Sequence, residues 1–254
     1  MNVSFMSANY VARETGWAKH GWGHGDRTTN EAYSADFELK FGGLLGAARA
    51  LGFDTIDVWG AHLNVDWATE EHVATARRLL DEHGLAIGSY QVWVGPRNLE
   101  RACDIAAALG SSSLSGNVPV DDARLESLLT ERRLRFAFEN HPERTPAEVL
   151  AKLPPFAGVC VDTGWFGTQG YPAPQAIEEL GDRVFHVHLK DVLAVGEPHE
   201  TCRWGEGVVD IEGCVRALKR IGYDATIVIE HEPETFDPSD DVRAMREQLE
   251  GWLV

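Results

Sequence analysis

The stretch Leu134–Asp162, LRFAFENHPERTPAEVLAKLPPFAGVCVD, runs from a strand through a helix to a second strand. Leu134–Glu139 is a short apolar run with Phe136 and Phe138 on one face, and it ends on a carboxylate. Pro146–Leu153 is amphipathic with a helical period, and Gly158–Asp162 is again a short apolar run closing on a carboxylate. Two such strands joined through a helix pack as a parallel pair.

The same order recurs along the chain. Strand-like runs are Val3–Ala8, Thr55–Trp59, Ala86–Val94, Ser112–Ser115, Leu134–Glu139, Gly158–Asp162, Val184–Leu189 and Ala225–Glu230. Amphipathic stretches follow at Asp36–Leu51, Ala68–Glu82, Leu99–Leu109, Asp122–Arg133, Pro146–Leu153, Ala173–Leu180, Ile211–Arg220 and Pro238–Leu253. Several end on glycine, at Gly52, Gly84, Gly110 and Gly222, as helix C-termini do. Eight β-then-α units in 254 residues predict an α/β protein made of a single (β/α)8 TIM barrel, one domain spanning residues 1–254. A doubly wound sheet would carry a glycine-rich fingerprint after an early strand, and Asn9-Tyr10-Val11-Ala12 is not one. Residues 13–35, rich in Trp, His, Gly and Thr, are too long for an ordinary βα connection and are expected to form a long loop over the barrel mouth.

Composition narrows the function classes. Twenty-three Lys and Arg against 40 Asp and Glu give a formal charge of −17, which repels phosphate backbones and argues against a nucleic-acid partner. Four scattered cysteines, Cys103, Cys160, Cys202 and Cys214, lack the spacing of a disulfide framework or a zinc knuckle. The first residues have no basic-then-apolar signal pattern, and no apolar run reaches the ~18 residues of a membrane span. The expectation is a cytoplasmic protein without a membrane partner.

The last four strands carry the chemistry. Side chains alternate faces along a strand, so if Phe136 and Phe138 face the helices, Glu139 faces the axis. By the same parity Asp162 points inward against Val159 and Val161, His188 against Phe185 and Val187, and Glu230 against Ile227 and Ile229. All four lie near the C-terminal ends of their strands, where barrel active sites form. Three converging carboxylates cannot all stay ionised cheaply, and a divalent cation resolves the repulsion. Three oxygen donors and an imidazole suit Mn²⁺, Co²⁺, Mg²⁺ or Zn²⁺ with positions left open for a substrate. Glu232 shares the parity of Glu230 but falls past the strand end, and His186 lies one inward layer below His188. Lys190 and Asp191 read either as site groups or as loop charges.

The strings Phe138-Glu139-Asn140-His141, Val161-Asp162-Thr163-Gly164, His186-Val187-His188-Leu189-Lys190-Asp191, Gly205-Glu206-Gly207, Gly222-Tyr223-Asp224 and Ile229-Glu230-His231-Glu232 resemble the xylose isomerase-like barrel superfamily, in particular its sugar isomerase and epimerase branch with the ketose 3-epimerases. The resemblance spans nearly the whole chain and is most specific over residues 136–232. It implies a quartet of Glu139, Asp162, His188 and Glu230 around one divalent metal, Mn²⁺ foremost. It also implies that Glu139 and Glu230 act as the acid/base pair that moves a proton on a carbon beside a carbonyl, through an enediolate. His62, His141, Trp165, His186, Lys190 and Glu232 become candidates for contact with a small-molecule sugar, and Trp17, Trp22 and Trp93 could offer flat faces to its ring. The substrate-orienting shell departs from the 3-epimerases: Trp165 stands where they carry His, Ala194 where they carry Arg, and Thr145 where they carry Glu. Residues 15–25 and Trp59-Gly60-Ala61-His62 are also similar to barrel subunits of C-glycoside deglycosidases, lyases that cleave 3-oxo-glycosides with a small partner subunit. That resemblance leaves a partner subunit or a homo-oligomer open. Endonucleases of abasic DNA in the same superfamily need three zincs and a basic face, which −17 opposes.

Overall fold

Eight parallel strands close into a barrel in the computed structural model, which describes residues 1–254. The strands are β1 (Asn2–Met6), β2 (Thr55–Trp59), β3 (Ala86–Trp93), β4 (Ser113–Asn117), β5 (Arg135–Glu139), β6 (Gly158–Asp162), β7 (Val184–Leu189) and β8 (Thr226–Ile229). Each pairs with its sequence neighbours, and β1 closes on β8 through Asn2 opposite Thr226 to Phe5 opposite Ile229. Helices α1 (Trp22–Ala35), α2 (Phe37–Ala50), α3 (Glu70–His83), α4 (Leu99–Ala108), α5 (Leu125–Arg132), α6 (Pro146–Lys152), α7 (Thr163–Thr168), α8 (Ala173–Leu180), α9 (Ile211–Arg220) and α10 (Ser239–Leu253) surround it. None is long and apolar enough to cross a membrane.

The alternation predicted on the last four strands is realised. Phe136, Phe138, Val159, Val161, Val187, Ile227 and Ile229 are buried in one apolar layer beneath the helices. Burying each such side chain contributes roughly 1.5–3 kcal/mol, and that gain drives the opposite residues of the same strands towards the axis. The glycines that close α2, α3, α4 and α9 all have positive φ, between +62° and +88°. The barrel interior holds a polar column. Ser4 Oγ donates to Asp57 Oδ1 (2.6 Å), and Asp57 Oδ2 lies 2.7 Å from His186 Nε2.

Two predictions are corrected. Residues 13–35 do not form a loop: a 3₁₀ turn at Arg13–Thr15 leads to the fourteen-residue helix α1. Its composition hides it, with Gly23, Gly25 and adjacent threonines all poor helix formers. Tertiary packing decides it instead, because Gly25, Thr29 and Tyr33, four residues apart, make one buried face. Thr29 Oγ1 donates to the Val11 carbonyl (3.2 Å), and a side chain at Gly25 would meet Lys19 at 2.8 Å. The second concerns Asp191, left open between site group and loop charge, which is neither. It is buried, and Oδ1 accepts the backbone N–H of Val192 and Val209 (both 2.9 Å) while Oδ2 accepts those of Gly205 (3.0 Å) and Gly207 (3.1 Å). One carboxylate thereby folds an excursion containing a small antiparallel pair, Asp191–Val192 with Thr201–Cys202.

Candidate active site

The ends of β5 to β8 bring Glu139, Asp162, His188 and Glu230 together, all buried. His188 Nδ1 lies 3.3 Å from Glu139 Oε1 and 3.2 Å from Glu230 Oε2, yet makes a directed hydrogen bond to neither. Asp162 is fixed from several sides. Its N–H donates to Asn140 Oδ1 (2.6 Å), its Oδ1 accepts the N–H of Trp165 (3.0 Å), and its Oδ2 lies 3.0 Å from His141 Nε2. Trp93 Nε1 donates to Glu139 Oε2 (2.9 Å).

Lys190 is a site group. Its buried ammonium lies 3.2 Å from Asp162 Oδ2, 3.2 Å from Glu230 Oε2 and 3.0 Å from Glu232 Oε2. Burial opposes that charge, but the three carboxylates hold the Lys190 pKa well above its ordinary value. Burial would also raise Glu139, but the close approach of His188 and the charges of His141 and His188 bring it down to about 2. Glu232 goes the other way: burial and the neighbouring Glu230 carboxylate outweigh Lys190 and push it up to about 7.

Part of the donor set is spaced as ligands of a divalent ion are. Ligand atoms around an ion at about 2.1 Å stand roughly 3.0–3.4 Å from one another, the range of both His188 contacts. Close approach without hydrogen-bond direction, and buried His188 and Glu230 atoms with no partner, suit a shared ion better than a hydrogen-bond network. Three groups offer ligand atoms within 4.8 Å of one another: Asp57, His186 and His188; Glu139, Cys160 and His188; and Glu139, His141 and Asp162. Glu230 reaches His188 but belongs to none of these groups. Lys190 and such an ion would contend for the same oxygens of Asp162 and Glu230.

Beside this cluster lies a cleft of about 580 Å³ lined by Trp93, Val94, Asn117, His141, Pro142 and Trp165. Trp165 stacks on His141 with ring centres 4.4 Å apart, and Trp93, 53% exposed, stands edge-on to the same imidazole at 5.7 Å.

Residues 45–253 match the Xylose isomerase-like TIM barrel family. The chain belongs to that family. Solved structures of similar architecture include a D-tagatose 3-epimerase-like protein (TM-score 0.71, 15% identity, covering 100% of this chain and 97% of that one). A D-allulose 3-epimerase from Methylomonas sp. follows closely (0.69, 19%, 99% and 98%). The probable 3-DHS dehydratase involved in petrobactin synthesis from Bacillus anthracis is similar to the same degree (0.70, 14%, 98% and 99%). Identities this low establish the fold that the sequence predicted. A mannonate dehydratase of Oceanobacillus iheyensis is 34% identical over 79 residues, 29% of this chain, and the match spans 22% of that enzyme's length.

Within this member of the family, not every predicted contact residue reaches the mouth. His141, Trp165, Lys190 and Glu232 join the quartet. His186 does not: it is buried a layer below, bonded to Asp57, because the parity that sends His188 inward at the strand end sends His186 inward beneath it. His62 is fully buried, its Nδ1 3.2 Å from Ser7 Oγ and its ring edge-on to Tyr33 at 4.8 Å, and burial lowers it to about 3. Sequence reasoning missed Cys160, whose inward parity below Asp162 was available, and Asn140, the clamp on Asp162. It also missed His199, which no local pattern marks. The excursion carries His199 to within 5.8 Å of Trp165, with Nδ1 2.5 Å from Thr168 Oγ1.

Proposed function

We propose that the protein is a divalent-metal-dependent enzyme of the sugar isomerase and epimerase type, acting on a sugar or oxo-sugar. Glu139, Asp162, His188 and Glu230 would hold one ion, Mn²⁺ foremost, which when bound lowers the pKa of a carbon acid by polarising its carbonyl. Glu139 and Glu230 serve as the acid/base pair, one taking the proton from the carbon beside the carbonyl and the other returning it to the enediolate. Lys190 and His141 orient Asp162, Trp93 orients Glu139, and the indole faces of Trp93 and Trp165 flank the ring and limit water. The observation that carries this reading is the approach of Glu139 Oε1 and Glu230 Oε2 to one imidazole nitrogen, 3.3 and 3.2 Å away, next to a cleft whose Trp93 and His141 bond Glu139 and Asp162. The epimerase names of several structural relatives lend it support.

The test is proton exchange in D₂O followed by NMR, with Mn²⁺-loaded protein, ketoses and 3-oxo-glycosides. Deuterium should enter beside the carbonyl only with metal present, and Glu139→Gln or Glu230→Gln should slow it about 10²–10⁴-fold while the circular dichroism stays native. Wild-type exchange in either variant removes that residue from the acid/base pair. A second reading, a lyase on 3-oxo-C-glycosides completed by a small partner subunit, draws on the cleft itself. Its walls are mostly tryptophan, proline and valine, and Trp165 and Ala194 replace polar groups that would orient a free ketose. Release of an aglycone in the same experiment selects it.

A further inference from the structure

A second cavity, of about 240 Å³, opens on the other side of the mouth, among α1, the ends of β2 and β3 and residues 64–66. Asp26, Trp59, Asn64, Asp66, Trp93 and Asn98 shape it, and it is large enough for one pyranose ring. Trp93 and Val94 line this cavity and the cleft beside the carboxylates alike, so the two spaces share a wall. The same indole donates to Glu139, which ties that wall to the reaction centre.

Asn30 is bonded through both halves of its amide, to the Asp26 carbonyl and to Trp67 Nε1, while four other polar side chains of the cavity are held by internal bonds that use only part of each. Asp26 Oδ1 accepts from Trp59 Nε1 (3.1 Å), Asp66 Oδ1 accepts from Asn98 Nδ2 (2.7 Å), and Asn64 Oδ1 accepts from the N–H of Asp66 (2.9 Å). Those bonds fix the side chains and leave the second oxygens of Asp26 and Asp66, the Asn64 amide nitrogen and the Asn98 oxygen outside them. A hydroxyl both donates and accepts, so oriented carboxylates and amides match vicinal hydroxyls, while an indole face takes the C–H side of a sugar ring. No lysine or arginine lines the cavity, and its carboxylates repel phosphate. The chemistry therefore selects a neutral polyol ring.

We infer that this cavity is a second sugar subsite, which takes a neutral glycosyl unit attached to the ring that reacts at the Glu139–Glu230 centre. The substrate is then a glycoside of disaccharide size rather than a free monosaccharide. The inference rests on the sugar reading of the neighbouring centre.

Isothermal titration calorimetry on the Mn²⁺-loaded full chain tests it, with cellobiose, lactose, sucrose and trehalose and with glucose, galactose and fructose. The expected result is one disaccharide binding about tenfold more tightly than either of its monosaccharides, a gain that Asp26→Ala and Asn98→Ala each abolish without changing monosaccharide binding. If no disaccharide binds more tightly than its parts, or if both variants keep the gain, the second subsite is overturned and the sugar reading of the centre stands. If no sugar of the panel binds the Mn²⁺-loaded protein, the subsite is overturned, and the D₂O exchange experiment decides the sugar reading of the centre separately.

Discussion

At the ends of β5–β8 the barrel mouth is lined by four buried carboxylates, Glu139, Asp162, Glu230 and Glu232, set against His141, His188 and Lys190. At the ends of β2 and β3, with α1 beside them, it is lined by tryptophan, asparagine and aspartate groups already bonded to one another. Both halves have the same scaffold. The first concentrates charge where each ionised group depends on the next, the setting that the proposed proton transfer and ion binding need. The second holds its carboxylates and amides in fixed directions with polar atoms left over, the arrangement that the proposed sugar subsite uses. The division teaches that one closed sheet can present a charged cluster and a fixed polar surface on different strands, since each strand end is an independent place for side chains.

The sharpest way to break the comparison is at Lys190. Lys190→Met leaves Asp162, Glu230 and Glu232 without their buried counter-charge, and removal of one partner of a buried ion pair costs about 3–5 kcal/mol. Chemical denaturation of the metal-free protein should show that loss, and added Mn²⁺ should recover much of it by supplying the missing positive charge. An equal loss with and without Mn²⁺ would mean that the ion does not occupy this cluster.

A smaller effect is expected below the mouth. Burial opposes the charge of Asp57, but the His186 charge and bonds from His186, Ser4 and Ser89 hold its pKa under the ordinary 3.8. A carboxyl depressed on folding stabilises the protein above its unfolded pKa, and that contribution is lost as the pH falls through the folded value. Asp57→Asn should therefore cost about 1–3 kcal/mol at pH 7, and the gap to wild type should narrow below about pH 4. A gap independent of pH would assign the cost to packing alone. The mildest change is Trp93→Phe, which keeps the aromatic wall and removes one hydrogen bond to Glu139. It should slow turnover by about tenfold or less, with KM hardly altered. A larger rise in KM than fall in kcat would move Trp93 from the charged half to the fixed polar half.

Much of the charged half is legible in the amino-acid order itself. Glu139, Asp162, His188 and Glu230 each follow apolar residues of opposite parity at a strand end, and a period of two leaves no choice of face once the other is buried. The fixed polar half is not legible, because Asn64, Asp66 and Asn98 look like ordinary turn residues and α1 looks like a loop. The same holds for His199, brought to Trp165 by an excursion that Asp191 folds, and for Lys190, whose sequence position admits a loop charge as readily as a site ammonium.

What the sequence determined alone is the barrel, its eight strands nearly to the residue, and the inward direction of the quartet. These are local matters, set by the hydrophobic period of each strand and by the signals at helix ends. What only the tertiary structure decided is which inward groups meet. His186 went to Asp57 and His188 to the two glutamates, Lys190 settled among three carboxylates, and α1 formed despite its composition. Those outcomes depend on distances between residues far apart in the chain, and closure of the barrel rather than any local preference sets them.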